Sequence, residues 1–166
     1  TGERLMRIYT DMDLVAAESL RNGLWDALDP SELAAVLSAL VFESRRADDA
    51  SAPRVPGGRV KETLAEMVSL WADLDALERE HKLDFLREPD LGFAWAAYRW
   101  AEGAPLDEVL TETDLAAGDF VRWVKQLLDL TDQVADAAGD APLRRTARQA
   151  SDALRRGVVA YSSVSD

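Results

Sequence analysis

GDFVRWVKQLLDL, residues 118–130, decides how this chain is read. Phe120, Val121, Val124, Leu127 and Leu128 recur at steps of three and four, the period of one helix face. The other face carries Arg122, Lys125, Gln126 and Asp129. Arg122, Gln126 and Asp129 fall at i, i+4 and i+7, so they form one stripe, with Lys125 beside it. The spacing predicts a helix that runs to about residue 138, where Gly139 stops it.

Working outward, nearly every segment has the same period. Pro142 starts a last helix with Leu143, Ala147, Ala150, Leu154 and Val158 inward. Upstream, Pro105 opens a short helix over 105–112. In GFAWAAYRWAEG, Phe93, Ala97 and Trp100 share a helical face. The alternation Phe93/Trp95 and Tyr98/Trp100 leaves a strand open, although Ala content and length favour a helix ended by Gly103. Residues 59–82 give the longest helix: Val60, Leu64, Met67, Trp71, Leu74, Leu77 and His81 make a bundle or antiparallel-hairpin face. In LDPSELAAVLSALVFE, Asp29 is the expected N-cap, Pro30 suits the first helical position, and Glu32 completes a capping box. Leu33, Val36, Leu37, Leu40 and Val41 are the apolar face. Residues 11–22 form another helix, closed by Gly23. Residues 45–58, with Pro53, Pro56, Gly57 and Gly58 and no period, read as a flexible linker within one domain spanning 1–166. The expected fold is all-α, a bundle of about six to eight helices with one long antiparallel helix pair.

Composition narrows the function classes. The 166 residues suffice for one sizeable core, and 48% are hydrophobic. The net charge of −12 is opposite to that of most free-standing nucleic-acid binders. It is uneven: residues 141–166 set Arg144, Arg145, Arg148, Arg155 and Arg156 against Asp152 and Asp166, a net +3, which leaves −15 on the rest. Any basic surface must be local. With no Cys, disulfides, thiolate chemistry and zinc–thiolate sites are excluded. No apolar run approaches the roughly 20 residues that span a bilayer. The chain begins with Thr, and we expect a cytoplasmic, monomeric fragment of a larger protein.

Enzyme signals are weak. There is one His, and no G-x-S-x-G, H-E-x-x-H or P-loop pattern. Gly57–Gly58 lacks the context of a phosphate loop. His81, at a helix end on the apolar stripe, reads as a structural residue, since a general base needs a positioned partner. Asp48/Asp49, Asp73/Asp75 and Glu78/Glu80 read as solvated faces, because no metal-loop spacing accompanies them. Glu88 and Asp90 are expected to shape the turn around Pro89. FAWAAYRW offers base stacking with Arg99 on phosphate, yet its spacing favours core packing for Phe93 and Trp100, as for Trp25. The Arg cluster of the last helix fits a solvated face, an acidic partner surface or phosphate binding equally well. The stripe of 118–138 has the chemistry to meet RNA: Arg and Lys reach phosphates, while Gln and Asp hydrogen-bond bases or ribose hydroxyls. A plain solvent face has the same composition.

The run WAEGAPLDEVLTETDLAAGDFVRWVKQLLDL resembles the DSHCT family, the C-terminal domain of superkiller-like, exosome-associated and bacterial HelY-type DExH-box RNA helicases. The family pattern has an aromatic, then Gly three residues on, a helix, T-D and G-[D/S]-[F/L]-[V/I]-R. Here these are Trp100, Gly103, Leu106, Val109, Thr113, Asp114, Gly118, Asp119, Phe120, Val121 and Arg122. GERLMRIYTDMDL, GLWDALDPSELAAVLSALVFE and RRGVVAYSSV agree as well, so the resemblance covers nearly all of the chain outside 45–58, and it looks nearest to the HelY-like branch.

The resemblance implies a helical bundle that follows a winged-helix segment and helps close an RNA channel beside paired RecA-like motor modules. One family helix, the ratchet helix, contacts the translocating strand, and it corresponds to residues 118–138 here. The RNA contacts then fall on Gln126 and Asp129, with Arg122 one turn earlier and Lys125 alongside. Family members often have Arg where Gln126 stands. Arg144, Arg148, Arg155 and Arg156 are expected to dock to the motor or extend the RNA path. The family's ATP site and DExH box are absent from this sequence. ATP and Mg would therefore belong to the parent motor, and no catalytic residue, cofactor or metal is expected in the chain itself. The implied partners are single-stranded RNA and the motor and winged-helix domains, with no membrane. A helical protein–protein scaffold without nucleic-acid contact is the alternative. A stand-alone enzyme using carboxylates has no motif behind it.

Overall fold

The computed structural model describes residues 14–43, 54–80, 87–113, 115–157 and 159, and among these the regular structure is entirely helical. The first helix, α1, spans Leu14–Arg21. It ends where Gly23 turns left-handed at φ 71°, with Leu24 N–H donating to Ser19 O at 3.1 Å and Gly23 N–H to Leu20 O at 3.3 Å. This is the glycine-closed helix end expected at that residue. A side chain there would be strained, and its Cβ would lie 2.9 Å from Asp26 Oδ2.

Helix α2, Pro30–Ser38, opens on the expected capping box. Glu32 N–H donates to Asp29 Oδ1 at 2.8 Å, and Asp29 N–H donates to Glu32 Oε1 at 2.9 Å. Leu33, Val36, Leu37 and Leu40 are buried as expected, but so are Ser31, Ala34, Ala35, Ser38 and Ala39. A helix buried around nearly its whole circumference lies at the centre of a bundle. After α2 the Arg87 guanidinium donates to Phe42 O at 2.8 Å and also to Leu40 O, which gives these turn carbonyls partners.

Helix α3, Arg59–Glu80, is the longest. Its apolar stripe is buried only along the first half. Val60, Leu64 and Met67 are buried, Trp71 and Leu74 partly so, and Leu77 is 52% exposed. His81 lies outside the described residues. Asp75, read above as solvated, is instead buried, while Asp73 is exposed. Residues 45–53 lie outside the described residues, but the Arg54 guanidinium stacks 3.8 Å from the Trp95 ring centroid, Val55 packs on the core and Pro56 is buried.

GFAWAAYRW is helical. A 3-10 turn, Leu91–Phe93, leads into α4, Ala94–Ala101, and Asp90 accepts from Gly92 N–H at 2.9 Å at its start. Helices α5, Leu106–Thr113, α6, Ala117–Ala137, and α7, Ala141–Leu154, complete the described chain. Asp140 caps α7 by accepting from Leu143 N–H at 3.0 Å.

Helices α6 and α7 are the long antiparallel pair. Asp136 meets Arg148, and Asp132 meets Ser151 and Arg155, a register that only an antiparallel hairpin gives. Of the two readings of 59–82, a bundle face or an antiparallel-hairpin face, the packing of α3 on α1 and α2 is that of a bundle face. Aromatic rings fill the centre: Phe42 stacks on Phe93 at 5.2 Å, Phe93 meets Phe120 at 5.8 Å, and Trp100 stands edge-on to Phe120 at 5.3 Å. Phe93, Trp100 and Trp25 are thus core residues.

Candidate nucleic-acid interface

The core fixes the orientation of α6. Phe120, Val124, Leu127, Leu128, Leu130, Thr131, Val134 and Ala135 are buried along it. With that face held against α2 and α7, the period of 3.6 dictates which side chains point away. Arg122, Gln126 and Asp129 are exposed, and Lys125 is partly buried at the edge of their stripe. The four residues singled out from the sequence therefore lie together on the outer side of one helix.

Two further residues bear on Arg122: Asp119, noted above only as part of the family pattern, and Trp123, not singled out from the sequence. Arg122 Nη2 lies 3.2 Å from Asp119 Oδ1, one turn earlier. Its guanidinium carbon lies 5.4 Å from the ring centroid of Trp123, which stands edge-on to Phe42 at 5.1 Å. The i, i+3 spacing of Asp119 and Arg122 was the available sequence signal. Trp123 gave none, because it sits between the apolar and polar faces.

The basic cluster of α7 divides. Arg155 Nη2 lies 3.5 Å and Arg148 Nη2 3.9 Å from the carboxylates of Asp132 and Asp136 on α6. Ser151 Oγ–H donates to Asp132 at 2.7 Å. Arg144 donates to Ala138 O at 3.3 Å, in the turn between the helices. These three arginines line the α6/α7 seam, and Arg145 is exposed beside them. Arg156 does not join them. Its guanidinium stacks 3.5 Å from the Trp100 centroid and donates to Trp100 O at 2.9 Å and to Ala104 O. Burial lowers its pKa from the usual arginine value. The Trp100 indole N–H in turn donates to Leu154 O at 2.9 Å. Arg156, grouped above with the docking residues, joins the end of α7 to the end of α4. Its place in the sequence is on a basic face, but α7 ends at Leu154 and the chain turns before it.

Uncompensated acidity gathers elsewhere. Burial and then the charge of Asp140 raise the Asp26 pKa. A hydrogen bond with Glu102, burial, and the charges of Glu102, Asp29 and Glu32 raise that of Tyr98. Asp140 follows the far end of α6, and the helical rise puts Ala137 about 22 Å along the axis from Arg122. At cellular salt, with screening over about 8 Å, the charge at Asp140 does not govern the field at Arg122. Among the described residues no three His, Asp or Glu side chains converge as a metal site, and no helix is long and apolar enough to cross a membrane.

Comparison with known proteins places this helix in context. The model of the DSHCT (NUC185) domain matches residues 1–162. The chain is 45% identical, over 98% of its length, to a protein named probable helicase HelY from Mycobacterium tuberculosis, of which it covers 19%. It is 26% identical over 98% of its length to the ATP-dependent RNA helicase mtr4 of Schizosaccharomyces pombe, covering 15% of that protein. Against the antiviral helicase SKI2 of Saccharomyces cerevisiae the identity is 22%, over 98% of the chain and 13% of the relative. The chain thus spans less than a fifth of the length of these relatives. With a family model covering nearly every residue, the chain belongs to the DSHCT family.

Proposed function

We propose that the chain is the strand-guiding domain of an ATP-dependent RNA helicase, with α6 as the helix that touches single-stranded RNA. The observation that carries this reading is the division of α6: one face is clamped in an aromatic core, and Arg122, Lys125, Gln126 and Asp129 leave along the other. A rigid helix presenting a narrow polar stripe suits a strand that slides past, because its side chains hold position while the strand moves. Arg122 and Lys125 hold phosphates, while Gln126 and Asp129 meet bases or ribose hydroxyls. RecA-like motor domains of the same chain, with their ATP and Mg, supply force and most of the affinity. The α6/α7 seam with Arg144 and Arg148, together with Arg155, docks against that motor or continues the RNA path.

The test is Arg122→Glu in the full-length protein that carries this domain. Strand unwinding is expected to fall while ATP binding is retained. Unwinding at the unsubstituted rate would refute the strand-guiding role and leave a protein–protein scaffold as the better reading.

A further inference from the structure

The contacts of Arg122 differ in kind from those of its neighbours. Asp132–Arg155 and Asp136–Arg148 join α6 to α7 and hold the hairpin in register. Asp119–Arg122 joins two residues of one helix and connects nothing else. Asp119 is also well placed to stay where it is. It lies in the first turn of α6, where free backbone N–H groups and the helix dipole favour a carboxylate, and the N-cap Ala116 offers no side-chain cap of its own. Trp123 is fixed by its edge contact with Phe42. Arg122 therefore rests between a fixed anion at 3.2 Å and a fixed aromatic ring at 5.4 Å. A phosphate beside a base offers a guanidinium the same two chemistries.

We infer that Asp119 is a built-in competitor for the RNA phosphate at Arg122, setting how tightly the strand is held there. The inference rests on the strand-guiding reading of α6. A phosphate that takes the Arg122 Nη2 must displace the Asp119 carboxylate held there, so that contact begins against an ion pair already made. The pair is exposed, with side chains 48% and 40% accessible, so it yields readily. The result is a phosphate contact that forms and releases easily, as a moving strand requires.

The experiment is a double-mutant cycle on the full-length protein, with fluorescence anisotropy of a labelled single-stranded RNA at several salt concentrations. The variants are Asp119→Asn, Arg122→Gln and the pair together. Asp119→Asn is expected to tighten binding about two- to fivefold at low salt, the worth of an exposed ion pair, and to lose that gain in the Arg122→Gln background. Asp119→Ser, which keeps a polar group in the first helical turn, is expected to act the same way and guards against a loss of helix start. Equal tightening in both backgrounds would overturn the inference, since Asp119 would then act only through its general field. No tightening, while Arg122→Gln weakens binding, would overturn the inference and leave the strand-guiding reading intact. No effect of Arg122→Gln in either background would remove both.

Discussion

Replacing Arg156 tests the packing argument most directly. The guanidinium stacks on Trp100 and donates to the carbonyls of Trp100, in the last turn of α4, and Ala104, just past its end. A desolvated cation–π contact contributes about 2 kcal/mol. A hydrogen bond from a charged donor contributes about 1.5–3 kcal/mol. One guanidinium serves both carbonyls, so these terms do not add in full, and ordering the side chain costs about 1.5–2 kcal/mol. The net loss on Arg156→Ala is then about 2–3 kcal/mol. For a domain of this size, at about 2–4 °C per kcal/mol, Tm falls by roughly 4–12 °C. Urea unfolding of the chain, followed by far-UV circular dichroism and Trp fluorescence together, measures the free energy and checks that the transition is two-state. Arg156→Lys is expected to recover only a minor part, because an ammonium lacks the planar fork that stacks and donates at once. Arg148→Ala, which removes an exposed pair at 3.9 Å, should change stability by less than about 0.5 kcal/mol. A change of under about 0.5 kcal/mol for Arg156→Ala as well would refute the reasoning, since surface substitutions without structural consequence fall in that range.

Two other substitutions probe local physics. Ser19→Ala is expected to stabilise the chain by about 1 kcal/mol in the same unfolding assay, because the Ser19 hydroxyl is buried without a hydrogen-bond partner among the described residues and Ala is the better helix former. Asp26→Asn should raise Tm at neutral pH. The folded protein raises the Asp26 pKa above its usual 3.8, so the carboxyl favours folding only below that value and costs stability as pH rises through the folded pKa. The gain from Asn is therefore full at neutral pH and fades on acidification. A gain that persists below the unfolded pKa would show that burial and Asp140 are not its cause.

Much of the fold was legible because helices are local objects. The period of Phe120, Val124, Leu127 and Leu128 marked the buried face of α6 without reference to any neighbour. The capping box at Asp29 and Glu32 and the glycine end at Gly23 are likewise written within a few residues of chain. The same logic placed Arg122, Gln126 and Asp129 on one stripe. It also explains why the basic residues of α7 were read together, since period alone does not tell which arginine the chain turns inward after Leu154.

What a stripe packs against is not local, and there the sequence was silent. Val60 to Leu77 keeps one apolar period throughout, yet burial falls along it, from buried Val60, Leu64 and Met67 through partly buried Trp71 and Leu74 to exposed Leu77. Asp75 has the composition of a solvated acid and is buried all the same. The aromatic identity of Trp100 suggested a core residue, but that its ring and carbonyl would receive the Arg156 guanidinium depends on contacts more than fifty residues apart. The pairing of α6 with α7, and the setting of Arg122 between Asp119 and Trp123, depend on side-chain rotamers that only the packed state selects. By itself the sequence determined most of the helices, several of their starts and stops, and which side of each would be apolar, because backbone hydrogen bonding and side-chain period act over one turn. The tertiary structure alone decided which faces met and which charges were consumed in meeting, because burial is shared between segments far apart in the chain.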